Sequence, residues 1–464
     1  MMNSTSIFDE PPRMSIINHL PGLLVMSTPL SGWQFFGFGN TFSFTLSYLI
    51  CVLSVIIFII NKRNTGLNVQ TSSNFFIVFF ASPLLLSTIF SLFPLMAYEH
   101  ANLTQFILSN LHLIFWLSSI YTLLAITDLR SSILLYLRYY LLSAILVSSF
   151  GAVNYFITIK TGVPIPIYFN IIARESPAMN SFLTLPRLTS IFHESGWYAH
   201  YVIVSLIIIL CWLRPSAVLK HKRSHVIALT FLSLFLGLTV LATLSASALL
   251  VGLALYFFTF LTRPGFFKKI IKTSVIVSIV AMIPSPGDLP NPSTVLIGRI
   301  QGILSGDPIS GESIDSRSSE IAAAYDLFIS SNALGIGYGQ STANVRDIRP
   351  VGTDGISSFY AVLLAETGFL GFGLFVGAIL LIYTKIWTLE KQAKNNIRLK
   401  QILFTARCVF LAECLFLNFF SNLASSFYAS SLWFIFAVIA IASRSLAINK
   451  NSFEERILEN NNFI

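Results

Sequence analysis

Charged residues are scarce in this sequence. They make up 11% of its 464 residues, against 55% hydrophobic, and the mean hydropathy is +0.75. Ordinary soluble domains carry roughly 25% charged residues, and no single core of this size could hide so much apolar surface. A soluble fold is excluded, and a bilayer has to act as solvent. Cysteine is scarce too. Cys51, Cys211, Cys408 and Cys414 all lie in apolar stretches, with no CxxC pair and no metal-ligand spacing, which argues against a disulfide framework or a zinc site. The apolar run after Arg13 has no convincing small-residue cleavage site, so no cleavable signal peptide is expected. Internal repeats and low-complexity tracts are absent from the pattern. The net charge is +9, but the cations sit in short clusters between apolar runs. That is the footprint of membrane topology rather than of a nucleic-acid groove, and nucleic acid is not an expected partner.

What is present is a series of apolar runs. Crossing roughly 30 Å of hydrocarbon takes about 20 apolar residues. Runs that meet or approach this cover about 42–60, 75–97, 107–126, 139–157, 197–213, 226–243, 245–262, 267–284, 358–384, 403–421 and 428–443. A further run, about 15–36, is interrupted by Pro21 and Pro29 and holds His19, but nothing ionised breaks it. With it the chain has twelve membrane helices, and without it eleven. The expected fold is all-α, a polytopic membrane helix bundle.

Cation placement sets the expected orientation. Of 29 Lys and Arg residues, 21 fall on one face, seven on the other (Lys160, Arg174, Arg187, Arg299, Arg317, Arg346, Arg349), and Arg407 lies inside a helix. The bias holds although the seven-charge face owns the longer loops, so both termini are expected in the cytoplasm. The resulting order is N-terminal membrane helices (1–157), a first large external loop (158–196), central membrane helices (197–284), a second large external loop (285–357), C-terminal membrane helices (358–443) and a solvated cytoplasmic tail (444–464). Structureless loops beyond about 12–15 residues are usually functional or disordered. Both large loops read as partly folded caps, with a helix over about 318–330. The cytoplasmic clusters at 214–225 and 263–272 read as topology signals that touch anionic membrane lipid. Ser245 and Ser247 read as a tight helix hairpin, where small residues allow close packing.

Three stretches carry candidate chemistry. Arg187, His193 and Glu194 precede a helix that opens with Trp197 and Tyr198. The guanidinium fork suits phosphate oxygens, so Arg187 could hold an anionic headgroup beside the proton acceptor Glu194; the same residue types also serve as interfacial anchors. Arg317 opens an amphipathic helix with Ile321, Ala324, Tyr325 and Phe328 on one face, running into Gly335-Ile336-Gly337-Tyr338-Gly339. Alternating glycines permit close approach of backbone to a ligand, or a tight turn without one. Glu366 lies about eight positions into an apolar run, where an ionisable group is expensive and functional by default. The other reading gives it hydrogen bonds from a neighbouring helix or a wet cavity. Asp354 lies just outside that run.

Taken in order, these stretches resemble the O-antigen polymerase and ligase superfamily of envelope polysaccharide enzymes. The family's arginine followed by a Phe-x-Glu-Pro-Gly/Ser-like element has its counterpart in Arg187 and Phe192-His193-Glu194-Ser195-Gly196. Its loop-helix arginine and Gly-hydrophobic-Gly-aromatic-Gly turn correspond to Arg317 and Gly335–Gly339. Its Glu-x-Gly-x-x-Gly core corresponds to Glu366, Gly368 and Gly371. The resemblance covers about 186–374, together with helix count and loop placement. Ser195 stands where the family often has proline. Ser357, nine residues before Glu366, stands where ligase-type members tend to have histidine, which tilts the reading from ligase towards polymerase.

The resemblance implies a GT-C-like glycosyltransferase in the bacterial inner membrane, working on its external face. The donor would be an undecaprenyl-diphosphate-linked oligosaccharide and the acceptor a hydroxyl on the next lipid-linked repeat unit. It implies no cofactor, no nucleotide sugar and no required metal, and it allows a chain-length regulator as partner. A diphosphate leaving group needs cations aimed at its developing charge, for which Arg187 and Arg317 are the candidates. Glu194 is the first candidate for the base that activates the acceptor, followed by Asp354 and His193. Gly335, Gly337, Gly339, Glu366 and Ser357 are the expected substrate-binding residues. The rival readings are a ligase, a flippase for the same lipid-linked sugars, and a non-catalytic scaffold of an envelope assembly complex. Transporters place binding residues near the midplane, on broken helices and in repeated halves, whereas the polar constellations here collect in two external loops.

Overall fold

The computed structural model describes residues 15–29, 36–38, 42–44, 46–65, 103–161, 181–182, 185–186, 188, 195–212, 223–243, 251–252, 308–341, 356, 358–393, 396–418 and 426–461. Its helices are α1 (Leu20–Ser27), α2 (Leu46–Thr65), α3 (Leu103–Ile126), α4 (Leu129–Thr161), α5 (Ser195–Trp212), α6 (Arg223–Ala242), α7 (Pro308–Ser330), α8 (Phe359–Gln392), α9 (Ile397–Phe416) and α10 (Ser426–Asn461). Two minimal antiparallel strand pairs accompany them, β1 (Phe36–Phe38) with β2 (Phe42–Phe44) and β3 (Ser181–Phe182) with β4 (Leu185–Pro186).

Among the described residues four helical stretches are long and apolar enough to cross a membrane: Phe106–Ile126, Leu129–Ile157, Phe359–Gln392 and Ala429–Ala447. Shorter apolar stretches occupy Ile16–Ser27, Leu46–Ile60, Gly196–Cys211 and Ile227–Val240. The spans read at 75–97 and 267–284 lie outside the described residues, as does 245–262 apart from 251–252.

Several boundaries differ from the sequence reading. Of the run at 15–36, the described residues form an apolar helical stretch over Ile16–Ser27. Ile16–Ser27 reaches about 18 Å at 1.5 Å per residue, short of the hydrocarbon thickness. The helix read from 139 begins at Leu129, so Arg130 and Arg138 lie on its first turns rather than in a connection. Its start is fixed by Asp128, whose N–H donates to Asn18 Oδ1 (2.8 Å) and whose carboxylate accepts from Ser131 Oγ (2.6 Å). The tail from 444, read as solvated, continues α10 as helix to Asn461.

Helix directions follow from paired contacts. α2 and α3 run parallel, with Tyr48 hydrogen-bonded to His112 and Ser54 to Thr122 (3.1 Å). α4 and α5 run antiparallel, through Tyr198 Oη to Ser148 Oγ (3.1 Å) and a Tyr140–Tyr201 ring stack at 4.8 Å. α5 and α9 also run antiparallel, through His200–Glu413 and Gln401 Nε2 to the Cys211 carbonyl (both 2.9 Å). These directions agree with strict alternation of the spans read from sequence. Among the described residues α10 holds the most buried of the candidate membrane spans. Trp433 to Ala442 are all buried, packed on Tyr136, which stacks flat on Phe434 at 5.2 Å.

Candidate functional site

The C-terminal end of α9 meets the starts of two other helices. The Phe359 N–H at the start of α8 donates to the Leu417 carbonyl (2.9 Å), and Ser358, which caps α8, donates its hydroxyl to Asn418 Oδ1 (3.2 Å). His200, early in α5, meets Glu413 on α9. The starts of α5 and α8 therefore flank one end of α9, and these are the helices that the first and third candidate stretches lead into.

Beside α8 lies α7. Its buried side is Ala323, Ala324 and Leu327, packed with Ile336 and Ile356 against Val362 and Ala365. The face expected from sequence is rotated by about a residue: Ala324 points in, but Ile321 and Tyr325 are exposed. Two helices that approach closely select small side chains for the contact, and the alanines win over the bulkier pair.

After α7 the backbone turns through positive φ at Asn332, Ala333, Gly335, Gly337 and Gly339. This turn docks on a break in α8, where Gly368 has φ 66° and ψ −169°. The break exchanges hydrogen bonds between the two segments. In an unbroken helix the Phe369 N–H would donate to the Ala365 carbonyl. Here it donates to Ala333 O (3.0 Å), while Ala365 O accepts from Ile336 N (3.0 Å) and Glu366 O from Gly337 N (2.9 Å). Irregular backbone within an apolar helix is tolerated when protein groups satisfy it, and the glycine turn supplies them.

The same turn holds the Glu366 side chain. Its Oε1 accepts from Ser341 N (3.0 Å) and Ser341 Oγ (2.6 Å), and the Gly339 N–H also donates to the carboxylate. Glu366 is 2% exposed. Tyr338 is buried alongside, and burial, followed by the charge of Glu366, raises its phenol pKa above the ordinary tyrosine range. Around this polar centre Leu334, Phe369 and Leu370 are each more than half exposed, an apolar lip next to a buried carboxylate.

Of the residues expected at the site, Gly335, Gly337, Gly339 and Glu366 are thus brought together. Arg317, expected to open the loop helix, lies instead nine residues beyond the start of α7 at Pro308; its side chain is outside the described residues. Arg187, His193, Glu194, Asp354 and Ser357 lie outside the described residues. Leu188 is buried and donates its N–H to the Ala242 carbonyl at the end of α6 (3.2 Å). Ile356 is buried in the α7–α8 contact. No group of three or more His, Cys, Asp or Glu able to hold a metal occurs among the described residues.

A second polar constellation lies inside the bundle, and the sequence reading did not single it out. Glu413 Oε2 meets His200 Nε2 at 2.9 Å, and its Oε1 accepts from Ser431 Oγ at 2.6 Å. The His200 and Glu413 side chains are 0% and 4% exposed, and the His200 ring stacks on Phe416 at 4.0 Å. The available signal was an acid inside an apolar run, the same signal that drew attention to Glu366. Arg407, noted as lying inside a helix, pairs with Glu390 at 2.9 Å.

The fold is that of a helical, multi-pass membrane protein. Neither the known protein-family models nor the curated proteins contain a match to the chain.

Proposed function

We propose that the protein is a polysaccharide polymerase of the bacterial inner membrane. It transfers an undecaprenyl-diphosphate-linked glycan onto the next lipid-linked repeat unit on the external face, with both termini in the cytoplasm. The observation that carries this reading is the docking of the Gly335–Gly339 turn on Glu366 and Gly368. Two motifs that resemble the polymerase superfamily, separate in sequence, form one hydrogen-bonded unit. The starts of α5 and α8 at the end of α9 support a common site with the Arg187–Glu194 segment. The apolar lip of Leu334, Phe369 and Leu370 suits a substrate with a lipid tail. In the proposed reaction Arg187 and Arg317 neutralise the departing diphosphate, Glu194 takes the acceptor proton, and Glu366 holds the glycine turn in place. The absence of histidine at Ser357 favours polymerase over ligase.

The test is deletion of the gene in its native host, with the surface polysaccharide resolved on a silver-stained gel. A polymerase leaves one repeat unit per acceptor, and wild type restores the ladder while Arg317→Ala does not. Complete loss of even the single unit points to the ligase or the flippase. An unchanged ladder overturns the reading.

Two observations favour the flippase as the second reading: the buried His200–Glu413 pair inside the bundle and the break in α8. Transporters use intramembrane ionisable groups and discontinuous helices. A flippase mutant accumulates lipid-linked units on the cytoplasmic side, whereas a polymerase mutant exports single units.

A further inference from the structure

We propose that the groove between α8 and α10, at the end of the bundle opposite the glycine turn, binds the headgroup of an anionic phospholipid. The groove has a volume of about 350 Å³ and is lined by Lys385, Leu389 and Gln392 of α8 and by Ser443, Leu446 and Ala447 of α10. Small-molecule sites span ~300–1,000 Å³, so a headgroup fits and a whole oligosaccharide does not.

The lining has two chemical halves. Lys385, Gln392 and Ser443 offer a cation, an amide and a hydroxyl. Among the described residues Ser443 Oγ is buried without a hydrogen-bond partner, an arrangement that proteins seldom leave unsatisfied. An anionic oxygen entering the groove would pair with the Lys385 ammonium and, once the Ser443 side chain rotates towards the groove, accept from its hydroxyl. Leu389, Leu446 and Ala447 form the other half and require an apolar partner. A free phosphate would leave the apolar half uncovered, and an acyl chain alone would leave Lys385 and Ser443 without a ligand. An amphiphile with an anionic head satisfies both.

Location points the same way. Phe359–Gln392 and Ala429–Ala447 are both long and apolar enough to cross the membrane, and the groove lies near the ends of both. Further cations, Arg398, Lys400 and Arg444, occur in the adjoining helix ends and turn. Basic pockets between membrane helices are sites where acidic headgroups collect. The nearest carboxylate on α8, Glu390, is paired with Arg407 of α9 and so does not neutralise Lys385.

Native mass spectrometry of the full chain in mild detergent tests the site, with phosphatidylglycerol, phosphatidylcholine and inorganic phosphate as probes. The expected result is preferential retention of phosphatidylglycerol. Lys385→Gln should weaken it roughly fivefold, the size of effect one surface cation contributes, and Ala447→Phe, which fills the groove, should weaken it further. Lys391→Gln is the control for general charge loss. Its ammonium lies over the Trp387 ring at 3.6 Å, and retention should be unchanged. A helical circular-dichroism spectrum and a monodisperse elution profile show that each variant is folded. Equal retention of the two lipids overturns the proposal, as does wild-type retention by both folded groove variants. Displacement of the lipid by millimolar inorganic phosphate also overturns it, by making the groove a free-anion site.

Discussion

Gly335 and Gly368 meet backbone against backbone. A Cβ on Gly335 would stand 2.6 Å from Gly368 N, and one on Gly368 would stand 2.5 Å from the Leu334 carbonyl oxygen. Both residues hold positive φ, +92° and +66°, so an L side chain is strained at either position before it touches anything.

Gly335→Ala and Gly368→Ala are therefore expected to destabilise the α7–α8 unit by about 2 kcal/mol or more each, combining left-handed strain with overpacking. Gly373→Ala is the internal control, because a Cβ there meets nothing within 4 Å. Thermal unfolding followed by size-exclusion fluorescence checks the contrast. Equal melting of all three variants would show that the turn does not dock on α8.

Ser341 gives Glu366 two of its donors, but only the hydroxyl bond depends on the side chain. Ser341→Ala is expected to cost about 1.5–3 kcal/mol, the usual range for a hydrogen bond to a charged group. Glu366→Ala is expected to cost more, since it leaves the Ser341 donors and the Gly339 N–H without their acceptor. The double variant should cost less than the sum of the two, because both remove the same bond. Additive losses measured by unfolding would place Ser341 and Glu366 in separate networks.

Arg187→Ala and Arg317→Ala are each expected to lower transfer by on the order of 100-fold or more, with the protein still present in the membrane fraction. Chain-length ladders and immunoblots of membranes check this together. A normal ladder from either variant removes that arginine from the mechanism.

Glu413 separates the two functional readings. Removing one partner of a buried pair costs about 3–5 kcal/mol, whereas replacing both by apolar residues is often neutral. Glu413→Leu alone should therefore fail to accumulate, and His200→Leu with Glu413→Leu should recover. A polymerase in which the pair only packs α5 against α9 regains its ladder in the double variant. A folded double variant that accumulates lipid-linked units on the cytoplasmic side identifies the pair as transport machinery.

Much of the helical layout is legible in the sequence because solvation by lipid leaves a coarse mark. The runs at 107–126, 197–213 and 358–384 each fall on a helix. Boundaries fail where a helix outlasts its apolar stretch, as α4 does through Arg130 and Arg138 and α10 does beyond Asn449. Hydropathy marks what lipid solvates, not where backbone hydrogen bonding stops. At the site, Glu366 and the glycine turn could be singled out separately, one by its depth and the other by its spacing. Their contact could not, because residues 25 or more apart in sequence share no local pattern. Glu413 carried the same depth signal as Glu366 and was passed over, and its pairing with His200 was not legible because the two lie 213 residues apart in sequence.

The break in α8 has a cause outside α8. No proline lies between Phe359 and Gln392, and glycine adopts helical dihedrals as well as the positive-φ ones seen at Gly368. The Phe369 N–H and the Ala365 carbonyl, which would bond each other in an unbroken helix, both find replacements in the turn. The interruption is thus a joint property of two segments, like a splice held closed by a clamp. Without the clamp, the same 34 residues have the hydrogen bonds to close into one uninterrupted rod.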